Sequence, residues 1–150
     1  MRKGLSVEQL GDLLELPLNA TLATYRRDGS VLLSPVWHEW RDGGFSIFTG
    51  LNDVKMRHIE RQGRAAAVVA DNEFPFRGIE VSCAPTIVRD AAFARQTLER
   101  IVKRYLGAAR ADAYLSSTGD GSGSVVLRLV PGTLRTWDFA DEAKLYGAAG

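Results

Sequence analysis

The stretch VLLSPVWHEW, Val31 to Trp40, decides how the chain is read. Its Val, Leu and Trp residues suit a pleated, half-buried surface. Pro35 interrupts it, because a proline lacks the N–H that a strand ladder needs and is confined to edges, strand starts and bulges. Two readings follow. The segment is an ordinary edge strand, or its backbone is left unpaired so that something else lies against it.

The flanks extend the pattern. ATLATY (Ala20 to Tyr25) reads as a strand, joined to the first by RRDGS with its Asp28-Gly29 hairpin signal. On the other side RDGG (Arg41 to Gly44) is a turn, and FSIFT (Phe45 to Thr49) alternates apolar and polar. The three segments predict a meander. Upstream, Ser6 to Gln9 is a capping box and Leu10, Leu13 and Leu14 recur at helical spacing, which predicts one short helix stopped by Pro17. Downstream, Asn52 or Asp53 caps a helix with Val54, Met56 and Ile59 on its apolar side and Gly63 as its stop.

AAAVVA (Ala65 to Ala70) is a short buried strand, and Ile79 to Arg89 reads as one long strand bulged at Pro85. The longest helix opens at the cap Asp90. It aligns Ala94, Leu98, Ile101, Val102 and Tyr105 on one face and ends at Gly107. SSTGDGSGS is a flexible connector, and VVLRLVP and TLRTWDF are two more strands around Pro131-Gly132. The expected fold is mainly β with flanking helices. About six or seven mostly antiparallel strands close into a barrel or sandwich. One domain spans residues 1–150, with 1–4 and 140–150 peripheral.

Composition narrows the class of function. The chain has 150 residues, 45% hydrophobic and 25% charged, with a net charge of +1. That balance does not steer the whole molecule toward nucleic acid or an anionic membrane. No apolar run approaches the ~20 residues that span a bilayer, and the acidic residues of the N-terminal segment argue against a signal peptide. The single cysteine, Cys83, excludes an intramolecular disulfide and fits a reducing cytoplasm.

Protein-borne catalytic motifs are not apparent. HEWRD at His38 has Asp42 where a zincin needs a second histidine, and no metal site is expected. GDGSGS fits neither a dinucleotide fingerprint nor a nucleophile elbow. Cys83 lies in an expected strand as a small core hydrophobe. No catalytic residue is assigned. Lys55, Arg57, His58, Arg61 and Arg64 form a basic cluster at and after a helix start. Such a cluster is either a solvated face or a phosphate site, where the helix N-terminus and the cations share an anion. Thr49 would reach the mouth of the sheet beside it.

In the order ATLATYRRDGSVLLSPVWHEW, FSIFTG, VKMRHIERQGRAAAVVAD, PFRGIEVSCAPTIV and LRTW, the chain resembles the flavin-binding split β-barrel proteins related to pyridoxamine 5'-phosphate oxidase. Within them it is most similar to the small actinobacterial-type enzymes that use the deazaflavin coenzyme F420. The likeness runs from Leu5 to Phe139 and rests on the order and spacing of D-G-S, P-V-W and K-x-R. It implies a homodimer with two cofactor sites at the interface. It also implies coenzyme F420 as cofactor, with FMN as the alternative. By the same likeness Ser34, Pro35, Val36 and Trp37 lie against the ring, while Thr49, Lys55 and Arg57 hold the ribityl and phosphate part. Pro75, Phe76, Arg77 and Trp137 close the site, partly from the other subunit. The chain departs from the pattern at His58-Ile59, where relatives often have Asn-Leu, and at RQGR, where they have an Arg-Asp-Pro turn.

Three activities compete. One is an F420-dependent reductase of small unsaturated or conjugated molecules, such as a tetrapyrrole or quinone. The second is an FMN-dependent oxidase or reductase; the C-terminal DEAKLYGAAG lacks the Arg- and His-rich segment expected of the full oxidase. The third is a non-catalytic flavin or haem binder. In each the partner is a small molecule, and the protein supplies orientation and exclusion of water. His38 is a possible proton donor, but as a strand residue it is expected to face solvent or the dimer partner.

Overall fold

In the computed structural model, which describes residues 1–147, the stretch Val31 to Trp40 is two strands rather than one. β3 (Val31–Val36) follows β2 (Ala20–Tyr25) through the expected hairpin, and β4 (Glu39–Arg41) pairs with β5 (Gly44–Gly50). β3 and β4 belong to different sheets. The expected meander is therefore broken at its middle strand, and Trp37 and His38 form the corner.

The same corner occurs once more. The long strand expected from Ile79 to Arg89 divides at Ala84-Pro85 into β7 (Arg77–Cys83) and β8 (Thr86–Val88), again in separate sheets. A proline stands at or just before each crossing, where the ladder must stop. With β1 (Arg2–Lys3), β6 (Ala65–Ala70), β9 (Ser124–Leu129) and β10 (Thr133–Asp138), the described residues hold ten strands. Those above the expected six or seven come from the two divisions and from β1.

The larger sheet runs β1-β10-β7-β6-β2-β3, and the smaller runs β4-β5-β9-β8. All pairs are antiparallel. The two sheets enclose one core as a split barrel, with Leu22, Phe45, Ile47, Val69, Ile79, Val81, Leu127 and Leu129 fully shielded from solvent. Each such side chain contributes about 1.5–3 kcal/mol through burial. The outer face of the larger sheet is uncovered: Leu33, on the edge strand, is 64% exposed.

The helix expected before Pro17 is instead two single 3-10 turns, Glu8–Leu10 and Leu13–Glu15, separated by Gly11 at φ 64°. That left-handed residue breaks the helix, although the capping box between Ser6 and Gln9 forms and the leucines are buried as expected. α1 (Val54–Gln62) follows β5, with Asp53 as its cap. α2 (Ala91–Ser116) does not end at Gly107 but turns there, at φ 76° and ψ 165°, a conformation essentially reserved for glycine. Its second arm returns along the first. Arg95 staples the two, donating to the Leu115 and Gly119 carbonyls and to Thr118 Oγ1. Leu98, Val102, Ala111 and Leu115 pack into a small second cluster together with Trp37 and Phe48.

The four-residue α3 (Ala140–Ala143) follows β10, and its Asp141 and Glu142 pair with the amino group of Met1. Of the tail expected to be peripheral, residues 148–150 lie outside the described residues. No helix among the described residues is long and apolar enough to cross a membrane.

Candidate functional site

Where β3 gives out, its last residue Val36 and the corner residue Trp37 open one side of a cleft of about 320 Å³. Phe48, Thr49 and Gly50 at the end of β5 form its floor, and Asp53 and Lys55 at the start of α1 form its polar end. Leu98 and Ile101 from the first arm of α2 and Tyr114 from the second complete the wall. The cleft is thus aromatic and aliphatic along most of its length, with one ammonium and one carboxylate at one end.

The aromatic wall is two rings deep. Trp37 stacks on Tyr105 at 4.9 Å and 6° from parallel, while Tyr114 tilts against it at 6.0 Å. The Tyr105 hydroxyl donates to the Leu18 carbonyl at 2.7 Å and accepts from the His38 N–H at 3.2 Å. The first arm of α2 is further held by Arg100 on Glu39 and by Arg104 on the Leu14 and Leu16 carbonyls.

At the polar end Asp53 does two things. Its Oδ1 accepts from the Lys55 N–H at 2.9 Å, capping α1, and its carboxylate lies 3.0 Å from Lys55 Nζ. Burial acts to raise its pKa, but the Lys55 N–H and ammonium outweigh that and hold it below the usual carboxylate value. The Lys55 side chain is only 17% exposed.

His38 is not at a surface. The corner turns it fully inside, edge-on to Phe45 at 5.0 Å, with Nε2 donating to the Leu18 carbonyl at 3.0 Å. Burial, helped by Arg104, lowers its pKa to about 4, so the ring is neutral. The expectation that it faces solvent or a partner is overturned by this packing. His58 is also buried, against Thr24 Oγ1 at 3.0 Å. The basic cluster is therefore dispersed. His58 faces the core, Arg64 covers the Tyr25 ring, and Arg57 reaches back to the Asn52 carbonyl. Of the cluster, Lys55 alone lines the cleft.

The residues expected at the site fall into groups. Val36, Trp37, Thr49 and Lys55 meet in the cleft. Ser34 and the exposed Pro35 lie just before it on the edge strand, opposite Leu22 and Thr21. Arg77 is pinned elsewhere by Asp12, Asp71 and the Leu10 carbonyl. Trp137 lies flat on Gly78, whose Cβ position would fall 2.0 Å from the indole, and Arg135 covers its ring at 4.7 Å. Pro75 and Phe76 belong to the loop before β7, where Phe76 packs edge-on to Phe74 and Phe139. β10 stands four strand positions from β3, roughly 19 Å at ~4.8 Å per strand. Sequence reasoning missed Phe48, Leu98, Ile101 and Tyr114 as cleft residues, and missed the pairing of Asp53 with Lys55. The signal for Tyr114 is the helix-forming run AARADAYL after Gly107. Among the described residues no group of three or more His, Cys, Asp or Glu side chains is placed to hold a metal ion.

Comparison with known proteins fits this geometry. A family model described as Pyridoxamine 5'-phosphate oxidase matches residues 6–138. No curated protein matches the chain. Among solved structures, a conserved hypothetical protein, Rv2991 from Mycobacterium tuberculosis, is similar with a TM-score of 0.80 at 21% identity, over 97% of this chain and 92% of that one. An F420 reductase is similar at 27% identity and a TM-score of 0.66, over 82% of this chain and 93% of that one. A FAD and heme binding protein from Mycobacterium smegmatis gives a TM-score of 0.70 at 21% identity, over 99% and 81%. The likeness to the first and third is one of fold.

Proposed function

The chain belongs to the pyridoxamine 5'-phosphate oxidase family, and on that premise we propose that it is an oxidoreductase that uses reduced coenzyme F420 to reduce a small conjugated or unsaturated acceptor. The observation that carries the reading is the cleft itself: a flat aromatic wall with one ammonium, paired to one carboxylate, at one end. Such a shape suits a planar ring with an anionic tail. Kinship with an F420 reductase favours the deazaflavin over FMN.

When bound, the reduced deazaflavin supplies the hydride. The chain's own residues bind and orient. Val36 and Trp37, led in by Ser34 and Pro35, would face the ring, and Thr49 and Lys55 would hold the tail; Arg57, expected beside them, is instead turned back to the Asn52 carbonyl. Leu98, Ile101 and Tyr114 would keep water from the reacting face. His38, neutral and sealed behind Tyr105, is not available to protonate the acceptor, so solvent supplies that proton.

The remaining expected residues, Arg77 and Trp137, do not line the cleft of their own chain. They would join it from a second copy. The uncovered face of the larger sheet supports a homodimer: Ala23, Leu33, Ala66 and Val68, with Thr21 and Glu80 among them, line a shallow, mostly apolar hollow there. The test is a side-by-side titration with F420 and FMN, followed by single-turnover hydride transfer to a panel of electron-poor acceptors. Saturable F420 binding with turnover is the expected result. Binding of FMN alone would replace the deazaflavin reading, and binding without turnover would replace the enzyme by a carrier.

A further inference from the structure

We propose that Asp53 sets which phosphate the cleft accepts, favouring a singly charged phosphodiester over a doubly charged phosphomonoester. This rests on the reading that a cofactor with an anionic tail binds here, and it assigns a selective role to a residue of that same site. The polar end of the cleft contains one cation, Lys55, and one carboxylate, Asp53, whose atoms lie 3.0 Å apart. Their formal charges cancel. The next cation along the helix, Arg57, is turned back to the Asn52 carbonyl at 3.2 Å and does not line the cleft. The carboxylate is not free to swing away, because the same group caps α1 through the Lys55 N–H.

An anion brought to Lys55 therefore meets Asp53 as well. Lys55 has three N–H donors, so it can hold a phosphate oxygen while keeping Asp53. Its one positive charge is already offset by Asp53, so every negative charge on the phosphate is met by hydrogen bonds alone, and a second charge adds to the repulsion from Asp53. A phosphomonoester carries about −1.5 to −2 at pH 7, because its second pKa is ≈ 6. A phosphodiester carries one negative charge and has no second ionisation. FMN ends in a monoester, whereas F420 carries its phosphate as a diester. The diester's second arm also has an exit. Gly50, exposed beside Thr49, has nothing nearer to its Cβ position than the Gly123 carbonyl oxygen at 4.0 Å.

The test is Asp53→Asn, which keeps a good helix cap and removes the charge. Dissociation constants are measured for four ligands: F420, its phosphate-free deazaflavin riboside, FMN and riboflavin. For the wild type, the phosphate should strengthen F420 binding over its riboside, while FMN should gain little over riboflavin. In Asp53→Asn the FMN-to-riboflavin ratio should rise about tenfold, the scale of one unrelieved charge in a partly solvated cleft. The F420-to-riboside ratio should rise distinctly less. Equal rises, or a wild-type phosphate gain for FMN as large as that for F420, would overturn the inference while leaving the cofactor reading intact. Failure of F420 to bind the wild type would overturn that reading and the inference with it. Unfolding midpoints accompany each titration, and Asp53→Ser, which also caps, serves if the Asn variant is unstable.

Discussion

The indole of Trp37 and the phenol of Tyr105 lie face to face, 4.9 Å apart and 6° from parallel. The wall of the cleft is thereby tied to α2 and, through the Tyr105 hydroxyl, to the Leu18 carbonyl. Trp37 is held by a ring that does not itself line the cleft.

Removing that support should separate two effects. Tyr105→Phe keeps the stack and loses the hydroxyl, so it should cost about 1–2 kcal/mol of stability with cofactor affinity within twofold of wild type. Tyr105→Ala removes the ring and should cost about 2–4 kcal/mol, with a tenfold or larger loss of affinity and a red-shifted Trp emission. Denaturant unfolding and equilibrium titration read both. Equal affinities for the two variants would mean that Tyr105 does not position Trp37.

Lys55→Ala should weaken binding of an anionic-tailed cofactor by about 1–3 kcal/mol, the range of a charge-assisted hydrogen bond. The lone Asp53 left behind adds repulsion. Binding of the phosphate-free riboside should stay unchanged. A variant that keeps full affinity for the phosphorylated ligand would remove Lys55 from the tail site.

Stability should fall as the solution is acidified, first through the histidines. His38 is held near pKa 4 in the folded protein, against 6.5 when free, and burial lowers His58 in the same direction. The unfolded chain takes up protons around pH 6.5 that the folded one refuses, so stability is full above that pH. It is lost progressively as pH falls toward 4, by up to about 3 kcal/mol for His38. Urea unfolding between pH 7.5 and 4.5 measures the slope, and His38→Gln should flatten most of it. An unchanged slope in that variant would contradict the buried neutral ring.

Leu33→Lys tests the open face of the larger sheet. Leu33 is already exposed, so the fold should keep its melting midpoint within a few degrees. Sedimentation should show a wild-type dimer and a variant monomer, and the monomer should bind cofactor at least tenfold more weakly. A monomeric wild type with full affinity would confine the site to one chain.

Arg95→Ala should loosen the second arm of α2 without disturbing the barrel, because Arg95 staples residues 115–119 and contributes nothing to the main core. Limited proteolysis should cut faster between Ser117 and Gly123, and cofactor affinity should drop as Tyr114 loses its seat. Cleavage at the wild-type rate would show that the packing of Ala111 and Leu115 alone holds the arm.

What could be read from the sequence follows the range of each signal. Lys55 and Thr49 were legible because a cap, a turn and a strand end are local features. The edge position of the strand that holds Pro35 was legible as one of two readings, because a proline is confined to edges, strand starts and bulges, but its end at Val36 was not. The corner at Trp37 and His38 was not, since nothing local distinguishes a strand that bulges from one that changes sheets; the packing of His38 on Phe45 decides it. Tyr114 was hidden because Gly107 reads equally as a helix stop and as a hairpin turn. Asp53 was read as a cap alone, because pairing with Lys55 depends on rotamers that spacing does not specify. Arg77 and Trp137 do not line the cleft of their own chain, and their place at the site was expected from the family resemblance alone, because no local spacing points to it.

The division of neighbouring strands between two sheets also sets a timetable. β5 is almost wholly buried, yet its central partner is β9, with Phe45 opposite Leu129 and Ile47 opposite Leu127. At ~5–20 residues per second, a ribosome needs roughly 4–16 s to supply the missing strand. During that interval the hairpin of β2 and β3 can form, while Phe45, Ile47 and Phe48 have only the short β4 beside them. The nascent chain therefore carries an unsatisfied, strongly apolar strand through most of its synthesis. Its yield in a cell should depend on holdase chaperones and on elongation speed more than its finished stability would suggest.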